Sequence, residues 1–563
     1  MKFYGRQEIL ELLNKRVNGL GEGYRQNIAI IGEEHIGKTH LIQYWLSKYC
    51  NNYIVPIYIE VKPQELDNFS QKFIGIFLYT FLQNSQISLH DDIGYLLRKA
   101  QNYIPRTAKL CRDLLGEHKK KRPQDDFVKI FHLPEVFYEE TGKRCCVILD
   151  EFHRIEEMGI KDLYADLRKC IMLNKNTMYL LVSSRRQTAE RILASNLNLL
   201  FGNFQKVDLE SFNAKTALLF IQDKLKHLDV SEEILNFIID FSASRPFYLN
   251  VICNALADYH TKNTGVHPTI DSLVVSLESV FLEEWGILNK LFSGLLKELE
   301  TNTKNPTVTK ILIELANGTK RLPEIARRLH KTKKEVSLLL NQLQAFDLIS
   351  KTVDIYMLCD RVFGFWLKYI FAAYLNAFAV ESHKQGQLFR KELRLLFDNF
   401  NEEQAKAMSE RILELFNQFS NESVQLQKKH LRLNHFKEVK LFNINGEKIR
   451  EGILCRAPNS LWIAGIKEDY VGEDDIIEFI DACKKFKYNK PLKRILITLD
   501  EMDVNARLIA KEEKIITWDL PCINSLLEIY GRPRIVKRSL PKGQAPFDPE
   551  APSTLKEAPR DII

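Results

Sequence analysis

One segment of this 563-residue chain constrains its fold more than any other. The apolar run at residues 28–31 leads into GEEHIGKT at residues 32–39, and an amphipathic stretch at 41–46 follows at once. GxxxxGK[ST] between a buried strand and a helix start is the phosphate-binding P-loop, or Walker A pattern. Its glycines let backbone N–H groups approach phosphate oxygens, and a helix N-terminus favours an anion. The segment predicts an α/β domain that binds a phosphorylated ligand.

The residues of this loop are the predicted nucleotide-binding site. We expect Lys38 to reach the β- and γ-phosphates as a point charge and the hydroxyl of Thr39 to hold Mg²⁺. ATP with Mg²⁺ is the ligand that these groups fit. A glycine turn that happens to precede a helix is the alternative interpretation. The whole set is Gly32, Glu33, Glu34, His35, Ile36, Gly37, Lys38, Thr39 and His40.

A second apolar run, CCVILDEF at residues 145–152, ends in two acids. Continuous Val/Ile/Leu runs are typical of buried parallel strands, and α/β sheets place ligand-binding groups at the carboxyl ends of such strands. We expect Asp150 to hold Mg²⁺ through water and Glu151 to polarise the attacking water, which is the Walker B role. Lys38, Asp150 and Glu151 are therefore the predicted catalytic residues. An exposed acidic turn after a strand is the alternative.

Two further places are candidates for sensing the γ-phosphate. Residues 178–184, MYLLVSS, predict a third strand that ends in Ser183 and Ser184, where related ATPases carry a polar sensor. Arg245 stands directly before Pro246, a residue that is favourable at the first position of a helix. A cation at this helix start can contact the γ-phosphate from the side opposite the P-loop. Ordinary strand-end serines and a surface arginine are the alternatives.

Composition excludes several classes of protein. A chain that is 45% hydrophobic and 27% charged is typical of a globular protein, and a net charge of +7 is slight for this length. Ten scattered cysteines without a CxxC pair argue against zinc and disulfides and favour a reduced, cytoplasmic setting. No apolar signal segment opens the chain. The apolar run at 365–380 is sixteen residues long and contains Lys368, so it predicts a buried helix and no membrane span.

Strand and helix patterns alternate as far as residue 209, which predicts a parallel sheet covered by helices. Amphipathic helical stretches then continue to about residue 300, and three strand-like runs begin a separate α/β domain at 438. The tail is rich in proline and poor in apolar residues, which is typical of disorder. The predicted parts are an ATPase core at 1–210, a helical lid at 211–300, a winged helix at 301–362, a helical connector at 363–436, an α/β domain at 437–531 and a disordered tail at 532–563.

The pattern at 306–360 is that of three helices followed by a hairpin, which is the layout of a winged helix. The third helix of such a unit, predicted to begin at Thr332, can enter the major groove of DNA. Lys331, Lys333 and Lys334 crowd its start and are the candidate DNA contacts. The unit carries nine Lys/Arg against six Asp/Glu, a modest excess of three. A winged helix that contacts only protein is the alternative.

Several stretches together resemble the archaeal-type P-loop ATPases of the STAND/AAA+ kind, relatives of the archaeal origin-recognition ATPases. They are FYGRQEIL, GEEHIGKT, VILDEFHRI, LLVSSR, LNLLFGNFQKVDL and SRPFYL. The resemblance covers residues 1 to about 530. It implies that Arg6 lies near the adenine edge and that Ser183 and Ser184 form the first sensor. Asn203 stands where the family often carries an arginine, so a trans-acting arginine does not carry over at that position.

The last domain resembles the restriction-endonuclease fold, whose active members carry an acid on the second core strand and E-x-K on the third. Here the third strand ends in Gly465-Ile466-Lys467, without the first acid, and the second offers Glu451 followed by Gly452. A hydrolytic Mg²⁺ site needs at least two carboxylates. The domain is therefore predicted to be degenerate and to bind nucleic acid or a partner protein. Candidates for a migrated ligand are Glu438, Glu468 and Asp469.

These patterns together predict a cytoplasmic switch that binds and hydrolyses ATP with Mg²⁺. Its nucleotide state would be coupled to a winged-helix arm that binds DNA or a protein partner. A homo-oligomer is a further candidate assembly, and no membrane is expected. The alternatives are an ATP-gated, Mg²⁺-dependent nuclease and a non-catalytic signalling scaffold that binds proteins.

Overall fold

The structure is a computed structural model of the chain. It describes residues 3–49, 53–63, 65–83, 92–116, 123–160, 162–197, 204–376, 382–426, 429–444, 449, 451–486 and 492–536. Three subjects of the sequence predictions lie outside these ranges: Asn203, the last four residues of the apolar run at 365–380, and the predicted tail after residue 536.

The N-terminal part is built on a five-stranded parallel sheet. The strands lie in the order β2-β3-β4-β1-β5, and every neighbouring pair is parallel. Uninterrupted apolar runs form its centre because both faces are covered, and β1 and β4 are buried along their whole length. The strand predictions for this part are confirmed. The strands are β1 (Asn27–Gly32), β2 (Ile54–Glu60), β3 (Arg144–Asp150), β4 (Thr177–Ser183) and β5 (Phe204–Leu209).

Helices cover both faces of this sheet. The side chains of α1 and α2 form one hydrophobic core with the sheet, and α3 to α7 form the other. A 3₁₀ segment, Phe152–Met158, follows β3, and a π segment, Ile192–Asn196, follows α8. The helices are α1 (Gln7–Gly21), α2 (Lys38–Lys48), α3 (Leu66–Gln83), α4 (Ile93–Ala100), α5 (Pro105–Leu115), α6 (Pro123–Thr141), α7 (Leu163–Leu173) and α8 (Arg186–Arg191).

The middle of the chain is mainly helical and shares one hydrophobic core, which runs from Ala217 to Phe400. The predicted lid, the three-helix unit and much of the connector all contribute to it. We refer to these packed elements, from α9 to α19 with their hairpin, as the helical body. Its elements are α9 (Ala214–Lys224), α10 (Glu232–Phe241), α11 (Pro246–Lys262), α12 (Ile270–Phe281), α13 (Ile287–Thr303), α14 (Thr307–Ala316), α15 (Leu322–Arg328), α16 (Lys333–Ala345), the hairpin β6 (Ile349–Thr352) and β7 (Ile355–Leu358), α17 (Arg361–Trp366), α18 (Ala372–Asn376) and α19 (Ser382–Ala405).

The structure confirms two sequence predictions in this region, the start of α16 and the burial of residues in the described part of the apolar run at 365–380. Thr332 caps α16, and its hydroxyl and Glu335 form a reciprocal capping box, so the helix begins where the sequence predicts. In the apolar run at 365–380, Phe365, Trp366 and Leu367 are buried in the shared core, as expected for a buried helix. Among the described residues, no helix is both long enough and apolar enough to cross a membrane.

A second five-stranded sheet forms the C-terminal part, in the order β10-β11-β12-β13-β14. Its first two strand pairs are antiparallel and its last two are parallel. Separate hydrophobic cores cover its two faces. The elements after α19 are α20 (Met408–Asn417), β8 (Glu422–Leu426), β9 (Lys429–Leu433), β10 (Glu438–Asn443), β11 (Glu451–Ala457), β12 (Ser460–Lys467), α21 (Glu473–Lys484), β13 (Leu492–Thr498), α22 (Val504–Glu512), β14 (Ile516–Asp519) and α23 (Leu520–Ile529).

Two predictions about this part are wrong. The connector was predicted to be helical throughout, but β8 and β9 form an antiparallel hairpin there. Val424 and Leu426 alternate with polar residues and are buried, which is the period of a strand. The tail was predicted to be disordered from residue 532, but 532–536 is packed. Arg532 lies 3.4 Å from Glu403, and the side chain of Ile535 is buried, so ion pairing and burial hold this short segment.

Candidate functional site

The loop between β1 and α2 needs both of its glycines. A Cβ on Gly32 would lie 2.6 Å from the carbonyl oxygen of Leu209 on β5, so a side chain there would collide with backbone. Gly37 has a φ of 92°, in the left-handed region that favours glycine. His35 also has a positive φ, of 62°. The loop is therefore a tightly curled backbone, as an anion-binding loop requires.

Lys38 and Thr39 begin α2 and face the end of β3. The ammonium of Lys38 is buried and donates a hydrogen bond to the carbonyl oxygen of Glu33, at 2.7 Å. Burial lowers the pKa of Lys38, although Glu151 and Asp150 act to raise it. A positive charge held by weak partners in a buried loop is well placed to bind a phosphate.

The two predicted Mg²⁺ ligands are in direct contact. The hydroxyl of Thr39 donates to Oδ2 of Asp150, at 2.8 Å, and Asp150 is fully buried at the end of β3. The hydroxyl of Tyr58, on β2, donates to the same oxygen at 2.8 Å. Parallel strands bring these groups to one edge of the sheet, because their carboxyl ends coincide. Sequence reasoning missed Tyr58, although it lies near the end of a predicted strand.

Glu151 follows directly and has a φ of 55°. Its Oε2 accepts hydrogen bonds from the backbone N–H of Ser184, at 3.0 Å, and from the hydroxyl of Ser184, at 2.7 Å. Nδ1 of His153 lies 3.3 Å from the same oxygen and 2.8 Å from Oγ of Ser183. Burial raises the pKa of Glu151, while Lys38 acts in the opposite direction. Both serines predicted as sensors therefore belong to the group around Glu151.

Arg245 reaches the P-loop from the helical body. Its guanidinium donates to Oδ2 of Asp360 at 3.0 Å, to the carbonyl oxygen of Cys359 at 2.6 Å, and to the carboxylate of Glu33. Burial acts to lower the pKa of Arg245, but the carboxylates of Asp360 and Glu33 raise it above its ordinary value. The predicted lid sensor thus ties the P-loop to the residue that follows the β6–β7 hairpin. No sequence pattern pointed to Asp360.

Arg6 lies at the other end of the loop, before α1. Its guanidinium contacts the carbonyl oxygen of Ile36 at 3.4 Å, donates to the carbonyl oxygen of Glu210, and stands over the ring of Phe212 at 5.4 Å. Burial lowers the pKa of Arg6 to about 10, and the charge of Glu210 opposes this shift. The side chain therefore links the N-terminal segment, the P-loop and the chain after β5.

The remaining loop residues contact aromatic rings on either side. The ring of His35 stacks on Phe247 of α11, with 4.6 Å between centroids. His40 is exposed and stacks on Phe3 at 5.7 Å. Ile36 is buried in the core beneath the loop, and Glu34 lies 4.0 Å from the imidazole of His35. These contacts fix the side chains that flank the loop on either side.

A cavity of about 1200 Å³ opens over the P-loop. Its walls come from the N-terminal segment, the P-loop, the ends of β3 and β4, helices α9, α11 and α13, and the turns at both ends of the β6–β7 hairpin. Asp347 and Phe346, at the end of α16, belong to this wall and were missed by sequence reasoning. Tertiary packing alone brings them here, since neither lies in a motif.

The candidate DNA contacts lie apart from this cavity. Lys331, Lys333 and Lys334 are exposed at the start of α16, whereas the end of α16 lines the cavity. Lys331 lies 3.9 Å from Glu335, a pair one helical turn apart at the surface. One helix thus has an exposed basic start and an end at the cavity over the P-loop.

In the C-terminal sheet, aromatic rings pack against two glycines, and one of these glycines, Gly465, is the position where E-x-K would place its acid. A Cβ on Gly465 would lie 2.8 Å from the ring of Phe479, and a Cβ on Gly452 would lie 2.7 Å from that of Phe442. Nζ of Lys467 lies 3.5 Å from the carboxylate of Asp475.

The other candidate ligands of this sheet are exposed or paired with a cation. Glu438 lies 3.3 Å from Arg456, while Glu468 and Asp469 are exposed after β12 and Glu451 is exposed on β11. Across the described ranges, no group of three or more His, Cys, Asp or Glu side chains could hold a metal ion.

The N-terminal sheet has the arrangement of a P-loop NTPase, with the P-loop after β1 and an acidic pair after β3. No protein-family model matches the chain, and no curated protein matches it. Among solved structures it is similar to a Walker-type ATPase of Pyrococcus abyssi, with 19% identity, 65% of this chain and 96% of that chain covered, and a TM-score of 0.46.

Two origin-recognition proteins are also similar. The Aeropyrum pernix ORC2 protein, in ADPNP–ADP complexes, matches at 12% identity over 70% of this chain and 95% of that chain, with a TM-score of 0.41. The Aeropyrum pernix ORC1 protein in complex with DNA matches at 11% identity over 66% of this chain and 95% of that chain, with a TM-score of 0.37. TM-scores below 0.5 leave the function to be inferred from the site itself.

Proposed function

We propose that this protein is an ATP-binding and ATP-hydrolysing switch. The observation that carries the proposal is the contact between Thr39 and Asp150 beneath a buried Lys38, at the floor of a large cavity. Two hard oxygen ligands and a lysine at the start of a helix are the groups that a Mg²⁺–nucleotide complex needs. The walls of the cavity come from the helical body as well as from the sheet, so a bound nucleotide would touch both.

Mg²⁺ fits this donor set. The hydroxyl oxygen of Thr39 and the carboxylate of Asp150 are 2.8 Å apart, and Tyr58 holds the carboxylate in place. When bound, the ion would neutralise charge on the β- and γ-phosphates. The loop backbone and Lys38 would hold the phosphates, and Arg6 would lie near the base.

Hydrolysis would depend on positioning more than on covalent chemistry. Glu151 would orient a water molecule and accept its proton as the water attacks the γ-phosphate. Arg245 would approach the same phosphate from the helical body, exchanging its pairing with Glu33 for the γ-phosphate oxygens. Since Asp360 also holds Arg245, this exchange would be felt directly at the hairpin of the three-helix unit.

A second set of contacts supports coupling between the site and the three-helix unit. The backbone N–H of Gln187 donates to Asp347 at 3.2 Å, and the hydroxyl of Thr188 donates to the carbonyl oxygen of Ala345 at 3.1 Å. The guanidinium of Arg185 stands over the ring of Phe346, 4.9 Å from its centroid. The segment after β4 therefore touches both Glu151 and the end of α16. Closure of the helical body on ATP would move α16, and hydrolysis would release it.

We assign the three-helix unit as a winged helix that binds DNA. Support comes from its order of three helices and a hairpin and from the exposed lysines at the start of α16. The C-terminal sheet we assign as a degenerate restriction-endonuclease-like module. The ring that packs against Gly465, where E-x-K would place its acid, argues against nuclease chemistry. A protein partner, a homo-oligomer and a cytoplasmic location remain predictions from the sequence.

DNA binding in the two nucleotide states tests this proposal. The affinity of the full chain for duplex DNA would be measured between low and moderate salt, with a non-hydrolysable ATP analogue and with ADP. We expect affinity to fall steeply with salt, because lysines release counterions from phosphates, and to differ between the nucleotides. Lys333→Ala and Lys334→Ala together should reduce the salt slope by about 1 to 2.

The matched control is the pair Lys297→Ala and Lys304→Ala, on and after α13, which removes the same charge elsewhere in the helical body. It should leave the slope nearly unchanged. Absence of DNA binding in both nucleotide states would refute the DNA-binding arm and favour the scaffold alternative. Sedimentation of the same samples would measure the oligomeric state.

A further inference from the structure

One buried titratable side chain has no part in the proposed reaction. His153 follows β3 in the 3₁₀ segment, and its side chain is only 1% exposed. Its Nδ1 lies 2.8 Å from Oγ of Ser183 and 3.3 Å from Oε2 of Glu151. Its Nε2 is buried, and no described residue gives it a hydrogen-bond partner. Burying a polar atom costs free energy unless the atom is hydrogen-bonded, so an unpartnered Nε2 calls for an explanation.

These contacts select one form of the imidazole. Burial lowers the pKa of His153 to about 3, and Arg185, Arg154 and Lys38 act in the same direction, so the ring is neutral at physiological pH. A proton on Nε2 would be a buried donor without an acceptor, and Nδ1 would then turn a lone pair towards a carboxylate. A proton on Nδ1 avoids both costs. Nδ1–H of His153 therefore donates to Oγ of Ser183 and directs its positive end towards Oε2 of Glu151, 3.3 Å away.

With this donor, three groups hold the same oxygen of Glu151. They are Nδ1 of His153 and the N–H and hydroxyl of Ser184. In the described part of the chain, both hydrogen bonds to this carboxylate fall on Oε2, and the imidazole of His153 lies 3.3 Å from the same oxygen. One oxygen is thus fixed, and Oε1 is left to act on water. Carboxylate orientation matters because misplacing a catalytic group by about 1 Å can cost roughly 100-fold in rate.

We propose that His153 is a positioning residue that, together with Ser184, holds the carboxylate of Glu151 in its orientation for water activation. The inference rests on the proposed ATPase function and deepens it. His153 does not touch the nucleotide in this proposal, so its loss should lower turnover without weakening ATP binding. Its action passes entirely through Glu151, which makes it separable from a purely structural role.

The test compares kcat, KM and the Kd for ATP of the full chain and its variants. His153→Leu keeps the ring's bulk but removes the donor, and we expect it to lower kcat by about 10- to 100-fold with an unchanged Kd. His153→Asn, whose amide can donate from nearly the position of Nδ1, should recover most of the turnover. The control is His260→Leu, which removes another buried histidine, on α11, and should leave kcat unchanged.

A double variant separates positioning from damage to the fold. In a Glu151→Gln background, where little turnover remains to be lost, His153→Leu should cause no further decrease. An equal decrease in both backgrounds, or an unchanged kcat in His153→Leu alone, would overturn the proposal.

Two further measurements distinguish failure of this proposal from failure of the proposed ATPase function. Should His153→Leu fail to fold, His153→Gln decides the question, because its amide reaches the position of Nε2 and not that of Nδ1: a kcat reduced by about 10-fold relative to His153→Asn supports the proposal and an equal kcat refutes it. The proposed ATPase function fails separately, when the unaltered chain does not hydrolyse ATP or when Glu151→Gln does not lower its turnover.

Discussion

The two five-stranded sheets of this chain both carry helices on two faces, but they differ at the ends of their strands. In the N-terminal sheet, Asp150 at the end of β3 lies beside Lys38 and Thr39 at the start of α2, under an open cavity. In the C-terminal sheet, Lys467 also ends a strand, yet it lies against Asp475 beneath a helix, and the adjacent position Gly465 faces the ring of Phe479. Both sheets place polar residues at strand ends, but such residues can act on a ligand only where a cavity leaves them accessible.

The two sheets use glycine for opposite purposes. At Gly32 the absence of a side chain lets the loop pass close to the backbone of β5 and leaves room above it for a ligand. At Gly465 and Gly452 the space is taken by aromatic rings, which strengthen the hydrophobic core. The same residue type therefore opens one sheet to a ligand and closes the other.

The largest contrast is expected between Lys38, at the start of α2, and Lys467, at the end of β12. Lys38→Ala should raise the Kd for ATP by about 100-fold or more, because it removes a buried cation that would hold the phosphates. Lys467→Met should leave ATP binding unchanged. Both Kd values are measured by calorimetry with Mg²⁺ present. An equal loss in both variants would contradict the assignment of the site to the N-terminal sheet.

A comparable difference in ATP turnover is expected between variants of Glu151 and Glu451. Glu151→Gln removes the group that would accept a proton from water, so kcat should fall by about 10² to 10³-fold while ATP still binds. Glu451→Gln, on β11, should change neither turnover nor binding. Steady-state phosphate release and nucleotide binding are the two readouts. Normal phosphate release by Glu151→Gln would remove this residue from its proposed role.

Adding one methyl group to the C-terminal sheet should affect stability alone. Gly465→Ala would force a Cβ against Phe479, and such overpacking costs about 1–3 kcal/mol. The expected result is a lower denaturation midpoint for the C-terminal part with unchanged ATP turnover. Combining it with Phe479→Leu should restore part of the lost stability. A fully stable Gly465→Ala variant would show that this position is not closed.

The smallest expected effect is a pH dependence of stability that comes from Asp347, in the cavity wall. Burial raises its pKa to about 6, although the N–H of Gln187 and the charge of Arg185 oppose the shift. Since the carboxyl of the unfolded chain has a lower pKa, the native state binds more protons between about pH 4 and 6. The free energy of unfolding therefore falls as pH rises through that window.

Asp347→Asn removes this dependence and keeps an oxygen that can accept from Gln187. The full shift would correspond to about 3 kcal/mol at pH 7, and solvent screening of this partly buried carboxyl reduces it. Asp347→Asn should therefore be more stable than the unaltered chain at pH 7 by about 1 kcal/mol and equally stable near pH 4. Thermal denaturation of both proteins across this range is the measurement. A stability difference that grows towards low pH would contradict the shift.

Motifs anchored to strand ends could be predicted from the sequence. Parallel strands bring their carboxyl ends together, so a contact between Thr39 and Asp150 follows from the two patterns alone. Long-range partners could not be predicted. Ser184 contacts Glu151, and Arg245 meets Asp360, which is 115 residues away, through packing of the helical body. Such contacts leave no periodic signal along the chain.

Nucleotide binding by the intact chain tests the central claim most directly. ATP and ADP would be titrated into the purified, folded protein by calorimetry, with Mg²⁺ present and again after its removal with a chelator. We expect saturable binding of one nucleotide per chain that weakens when Mg²⁺ is removed, because Thr39 and Asp150 would hold the ion between protein and phosphates. A folded sample that binds neither nucleotide in the presence of Mg²⁺ would contradict the claim.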